Sequence, residues 1–264
     1  DQGRAEEGIA AFDQALARRP AFAEALYNRG GAEQELGRYE VAAATFEHLL
    51  TLASDHRYAI GRLFHCRQFV ANWRRHAEQR SALVASADGR VRDIPFPFLA
   101  VSDDPAQQLR CAQSYTAAKY PPAATPLCSG QPYAHPLLRL AYVSADFCEH
   151  ALSYLLAGVF EAHDRARFEV WGIALKRGDG SAMATRVAAA FEHFVDASAL
   201  SDNEVARLLR EQEIDIAVDL TGHTQDARTA IFAAQPAPVQ VNYLGYPGSM
   251  GAAYIDYIIA DDFV

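Results

Sequence analysis

From Leu138 onward the chain alternates apolar runs with amphipathic stretches. LRLAYVS, FEVWGIAL, IDIAVDL, VQVNYL and YIDYIIA read as strands at 138–144, 168–175, 214–220, 239–244 and 254–260. Between them, helical periodicity predicts helices at 150–162, 182–194, 202–212 and 226–234. Ser201 and Glu204 form the signature of a capping box at the start of the third. Near-continuous apolar strands separated by helices predict a parallel sheet covered on both faces, a Rossmann-like α/β lobe.

The first 85 residues carry a different period. GRAEEGIAAFDQAL at 3–16 aligns with GRYEVAAATFEHLL at 37–50, pairing Gly3 with Gly37, Phe12 with Phe46 and Leu16 with Leu50. The constant offset of 34 is that of tetratricopeptide helical repeats. Pro20 punctuates the copies, and Ala25, Leu26, Asn28 and Leu36 fall where the first helix of a unit would pack. Small Ala10 and Ala44 are expected to let paired helices approach. The first copy lacks its opening helix, and a repeat cannot bury its apolar face alone, so further repeats are expected upstream. Helix is expected to continue over 51–85, with Leu63, Phe64, Phe69 and Trp73 on an apolar face. The predicted architecture is therefore α plus α/β, with helical repeats over 1–85 and the lobe over 138–264.

Eight of the 12 prolines lie between Pro95 and Pro136. Proline removes backbone donors and blocks helix interiors, so 86–137 reads as an irregular connector with one short helix near 106–118. Its aromatics, among them Phe96, Tyr115 and Tyr133, imply that it is packed.

A formal charge of −9 argues against a broad footprint for nucleic acid or an anionic membrane. Cysteines at 66, 111, 128 and 148 show no CxxC pair, which fits reduced thiols. No apolar run approaches the roughly 20 residues of a membrane helix, and the N-terminal residues do not form a signal peptide. A soluble, cytoplasmic protein is expected.

Ligands of parallel sheets bind beyond the carboxyl ends of the strands. The loops there are ADFCEH (145–150), TGHTQDAR (221–228) and GYPGSMG (245–251), and all three should open on one edge. His150 falls at a helix start, where the dipole disfavours an imidazolium. Such a ring is either a cap or a neutral group able to accept a proton or bind a hydroxyl. Cys148 beside it carries no hydrolase signature, and Cys148, His150 and His223 lack a metal-ligand spacing. Gly222 permits close backbone approach, with Thr221, His223 and Thr224 as polar neighbours. Gly245, Gly248 and Gly251 surround Tyr246–Pro247 in a tight loop that is neither GxGxxG nor a P-loop. Alone, either glycine loop is an ordinary turn.

Repeats, connector, LRLAYVSADFCEH, DLTGHT, QPAPVQV and LGYPGSMG occur in an order that resembles the protein O-GlcNAc transferases and Spindly-type relatives of glycosyltransferase family 41. The resemblance implies a GT-B architecture of two Rossmann-like lobes, with residues 138–264 as the N-terminal one. It implies His150 as the histidine acting at the acceptor hydroxyl. It also implies that Thr221, Gly222, His223, Thr224, Gly245, Tyr246, Pro247, Gly248 and Ser249 shape the sugar and acceptor site. The expected reaction is inverting transfer of N-acetylglucosamine from UDP-GlcNAc to protein serine or threonine hydroxyls, with neither metal nor cofactor. Acceptor proteins would dock on the repeats; nucleic acid and membrane are not expected partners. A GDP-fucose donor, as in Spindly-type enzymes, or a non-catalytic repeat scaffold are the alternatives. Ala151 and Leu152 stand where the family often has proline and threonine, and Ser249 replaces a usual threonine while keeping its hydroxyl. The second lobe, with most nucleotide contacts, would follow residue 264, so this chain alone would be a partial catalytic unit.

Overall fold

The computed structural model describes residues 2–56, 58–85 and 93–262. The chain divides into two compact units, Asp1–Tyr115 and Thr116–Val264. Part of the expected connector, 86–92, lies outside the described residues.

The first unit is helical: α1 (Gln2–Arg18), α2 (Ala23–Glu35), α3 (Tyr39–Leu52), α4 (Ala59–Phe69), α5 (His76–Ala85), the single turn α6 (Pro95–Phe98) and α7 (Pro105–Lys119), whose last residues belong to the second unit. Leu26, Ala42, Phe46, Leu49, Ala59, Leu63 and Cys66 form its main core. The seam between α2 and α3 is set by Gly30, because a Cβ there would stand 2.7 Å from the Phe46 ring. Ala10, Ala44 and Asn28, expected at helix contacts, are instead exposed. The 34-residue period aligns equivalent positions without specifying which face meets the neighbouring helix. Helix over 51–85 is interrupted where Tyr58, Ala71 and Arg75 take positive φ. Leu63 and Phe64 are buried, but Phe69 and Trp73 are 69% and 60% exposed, Phe69 stacking on Tyr39 at 4.3 Å. Phe64, Leu83, Phe98, Val101 and Cys111 make a second cluster, so the proline-rich stretch near 98 is packed as expected.

The second unit is a sheet of six parallel strands: β1 (Leu138–Ser144), β2 (Phe168–Ala174), β3 (His193–Asp196), β4 (Ile216–Asp219), β5 (Val239–Tyr243) and β6 (Tyr257–Ile259), ordered β3-β2-β1-β4-β5-β6. Helices α8 (Ala151–Glu161), α9 (Ala182–Ala189), α10 (Asp202–Glu211) and the turn α11 (Ala230–Ala233) connect them. Alternate residues of β1 enter opposite cores, Leu140 and Tyr142 on one face and Ala141 and Val143 on the other. Both faces are thus covered, as the apolar runs require. The capping box of Ser201 and Glu204 is present.

Three elements differ from the sequence reading. The helix expected to 194 stops at Ala189, and His193–Asp196 is the edge strand β3. Gly172 on β2 makes room for this, since a Cβ there would meet Phe191 at 2.6 Å and Phe194 at 2.9 Å. The helix expected over 226–234 is one turn, bounded by positive φ at Asp226 and Gln235. The last strand is shortened because Tyr254 is buried, its hydroxyl donating to the Tyr120 carbonyl at 3.0 Å. Among the described residues no helix is long and apolar enough to cross a membrane.

Gly30 and Gly31 should respond oppositely to alanine. Gly31→Ala enters open space in a helix and should stabilise by up to about 1 kcal/mol. Gly30→Ala collides with Phe46 and should cost about 1–3 kcal/mol. Urea unfolding of the two variants beside the parent measures both signs.

Candidate active site at the carboxyl edge of the sheet

Strand order reverses between β1 and β4, so the chain leaves their carboxyl ends in opposite directions and opens a crevice there. The loops after β1, β4 and β5 meet at this edge. Ala145 N–H reaches Thr221 Oγ1 at 3.5 Å, joining the first two. His223 Nε2 lies 2.8 Å from the Met250 carbonyl, and its ring is 5.2 Å from that of Tyr246, joining the second to the third. Asn242 Nδ2 donates to the Asp219 carbonyl at 3.3 Å.

Two glycines make this contact possible. A Cβ on Gly245 would fall 1.8 Å from the Leu220 carbonyl oxygen. Gly222 has φ +59°, and a Cβ there would lie 2.4 Å from Tyr246 Cβ. Beneath them the buried Asp219 carboxylate accepts from the N–H groups of Thr221 (2.9 Å) and Gly222 (3.0 Å). Burial pushes its pKa up, against those two bonds.

The expected site residues fall into two groups. Thr221, Gly222, His223 and Tyr246 are buried. Thr221 Oγ1 accepts from Ala145, and Thr224, half-buried, donates to the Thr221 carbonyl at 2.8 Å. These residues assemble the loops. His150, Pro247 and Ser249 are exposed, Gly245 and Gly248 partly so. Ser249 Oγ accepts from Gly251 N–H at 3.2 Å.

His150 is the N-cap of α8, not its first residue, and its Nδ1 accepts from Leu152 N–H at 3.2 Å. A nitrogen that accepts carries no proton, so the neutral ring bears its hydrogen on Nε2. The exposed ring therefore offers a donor. Accepting a proton at Nε2 would need the other tautomer and would break the cap. Both expected readings of this residue, cap and hydroxyl-binding group, are thus compatible, and the proton-acceptor reading competes with the cap.

Sequence reasoning pointed to Asp146 at the elbow but missed Lys176 and Asp226, which complete its charged frame. Lys176, two residues past β2, pairs with Asp226 at 2.8 Å, linking the β2 and β4 loops. The Asp226 carboxylate raises the Lys176 pKa. Asp146 is half-buried, its carbonyl accepting from Ser153 Oγ at 2.6 Å. Burial raises its carboxyl pKa, opposed by His150 and Lys176. The only sequence signal was position just past strand ends. Cys148 has its pKa raised by burial, then by Asp179 and Asp146, which disfavours a thiolate. An apolar hollow of about 250 Å³, lined by Tyr243, Leu244, Tyr246, Pro247, Ile258 and Ile259 among others, lies at the ends of β5 and β6.

Comparison with known proteins adds a family to this geometry. The profile of glycosyl transferase family 41 matches residues 125–264, just over half of the chain, and a tetratricopeptide repeat profile matches 23–56. The chain is 35% identical to an Arabidopsis thaliana protein named "Probable UDP-N-acetylglucosamine--peptide N-acetylglucosaminyltransferase SEC", over 76% of this chain and 22% of that one. It is 42% identical to the UDP-N-acetylglucosamine–peptide N-acetylglucosaminyltransferase of Caenorhabditis elegans, over 47% of this chain and 11% of that one. A solved structure of a point mutant of the Thermobaculum terrenum O-GlcNAc transferase superposes with a TM-score of 0.64 and 26% identity, covering 99% of this chain and 51% of that one. A repeat-bearing protein with a Rossmann-like lobe of glycosyltransferase type is thus defined by fold and site together. The chain belongs to glycosyl transferase family 41. It spans about a fifth or less of the length of these two curated relatives.

Gly245→Ala should cost about 3 kcal/mol or more, since backbone and not a movable side chain blocks the new methyl. Thermal unfolding of the variant tests this.

Burial, and secondarily Lys119, holds the His223 pKa below its ordinary value against the bond to Met250. The unfolded chain, titrating near about 6.5, then binds the proton first as pH falls. Stability contributed by neutral His223 should be present above that pH and be lost below it. His223→Gln, which keeps a donor for Met250, should flatten the fall in melting temperature between about pH 7 and 5 relative to the parent.

Proposed function

We propose that the complete protein transfers N-acetylglucosamine from UDP-GlcNAc to serine or threonine hydroxyls of proteins. We propose also that the second unit of this chain supplies the acceptor-side wall of the cleft. The observation that carries this reading is an exposed imidazole beside three interlocked loops at the strand-order reversal. The names of the relatives support the donor and the acceptor class.

In this reading the hydroxyl oxygen attacks the anomeric carbon as the bond to the diphosphate breaks, inverting that centre and releasing UDP. His150 donates from Nε2 to the acceptor oxygen and orients its lone pair on the sugar, a positioning contribution. The hydroxyl proton passes to another group. The half-buried Asp146 carboxylate is the candidate acceptor within this chain, because burial raises its proton affinity. Pro247, Gly248 and Ser249 form the accessible lip against sugar or acceptor backbone, while Thr221, His223 and Tyr246 hold that lip in place. A GT-B partner lobe would complete the nucleotide site. The tetratricopeptide helices would recruit the polypeptide to be modified.

Two substitutions in the complete protein separate His150 as cap from His150 as site. Asparagine is a good N-cap, so His150→Asn should leave the melting temperature nearly unchanged while lowering transfer of labelled N-acetylglucosamine to a peptide by about a hundredfold. His150→Ala should lose the same activity and about 1 kcal/mol of stability. Full transfer by the asparagine variant, or turnover with GDP-fucose and none with UDP-GlcNAc, would overturn the reading.

A further inference from the structure

The amino edge of the same sheet, opposite the candidate active site, holds a cavity of about 580 Å³. This lies within the roughly 300–1,000 Å³ range of small-molecule sites. Its walls are the start of β5, the residue before β6, the last turn of α10 and the segment 126–130. That segment is pinned by Leu127 N–H to the Ala234 carbonyl and Cys128 N–H to the Gln235 carbonyl, both 2.9 Å.

Two side chains of opposite charge, Arg210 and Asp256, line this cavity beside the buried Gln240. Arg210 uses Nε on the Leu127 carbonyl at 3.0 Å and rests 5.3 Å from the Tyr133 ring centroid. Among the described residues no carboxylate forms an ion pair with it, so its two terminal nitrogens are available. Asp256, exposed, accepts from Gln240 N–H at 2.8 Å through Oδ2 and has no basic partner among the described residues. Gln240 is 2% exposed; its Nε2 donates to the carbonyls of Phe232 (3.0 Å) and Tyr254 (2.5 Å). Those two acceptors fix the amide, and its Oε1 is left without a donor. A buried carbonyl lacking a donor is costly.

An anion alone would meet Asp256, and a cation alone would meet Arg210. A ligand carrying both a carboxylate and an ammonium satisfies both. We propose that this cavity binds a free α-amino acid, with its carboxylate on Arg210 and its ammonium toward Asp256. Leu127, Ala237 and Pro238 offer apolar surface to the side chain. An internal peptide segment carries neither terminal charge, and a phosphate carries only one sign. The site is separate from the transfer reaction and stands whether or not that reading holds.

Calorimetric titration of the 264-residue chain with the common free α-amino acids, one at a time, tests this beside acetate and methylammonium as half-ligands. At least one amino acid should bind saturably and about tenfold or more tighter than either half-ligand. Arg210→Gln and Asp256→Asn should each weaken it about tenfold, Asp256→Asn with unchanged melting temperature and Arg210→Gln with a small fall, since it gives up the bond to the Leu127 carbonyl. Asparagine retains an acceptor for Gln240 N–H, so a folding defect is not expected there. Absence of saturable binding by any amino acid, acetate binding equally well, or both variants binding as the parent does would each overturn the proposal.

Discussion

The second unit depends on one backbone approach. The chain leaving β5 passes so near the Leu220 carbonyl that only a residue without Cβ fits at position 245. With that contact made, Tyr246 closes over Gly222, and His223 reaches the Met250 carbonyl. Thr221 can then receive Ala145 from the first loop. Three segments far apart along the chain become one surface because a pair of glycines removes the steric barrier between them. The buried Asp219 carboxylate, wrapped by the amides of Thr221 and Gly222, fixes the middle loop from below.

This arrangement divides labour among residues that a motif treats as equals. Buried His223 and Tyr246 transmit position, whereas exposed His150, Pro247 and Ser249 are free to meet a ligand. His150 does both, since one ring nitrogen holds the helix start and the other is open. The cap thereby selects the tautomer, and a structural bond decides whether the exposed nitrogen gives or takes a hydrogen. The charged frame of Asp146, Lys176 and Asp226 draws its members from three different loops.

Much of this was legible in the residues. The apolar runs of β1, β2, β4 and β5 marked a doubly covered parallel sheet within one or two residues of each strand, and the capping box at Ser201 fixed α10. The three loops expected to share the carboxyl edge of the sheet do meet there. β3 was not legible, because its four residues are mostly exposed and lack an apolar run; it is a strand only because β2 offers an edge and Gly172 offers space. The helix expected near 226–234 fails for a similar reason, as Asp226 is held with positive φ in its ion pair with Lys176.

The sequence by itself determined period and therefore element type: an offset of 34 for paired helices, and uninterrupted apolar strands for a sheet buried on both sides. Period is a local property, set by which face of each segment must leave water. Tertiary structure alone decided which alanines face solvent, which site residues are sealed, which imidazole nitrogen is committed and which charges converge at either edge of the sheet. Those outcomes depend on atoms brought together from distant positions, and distance along the chain carries no record of distance in space.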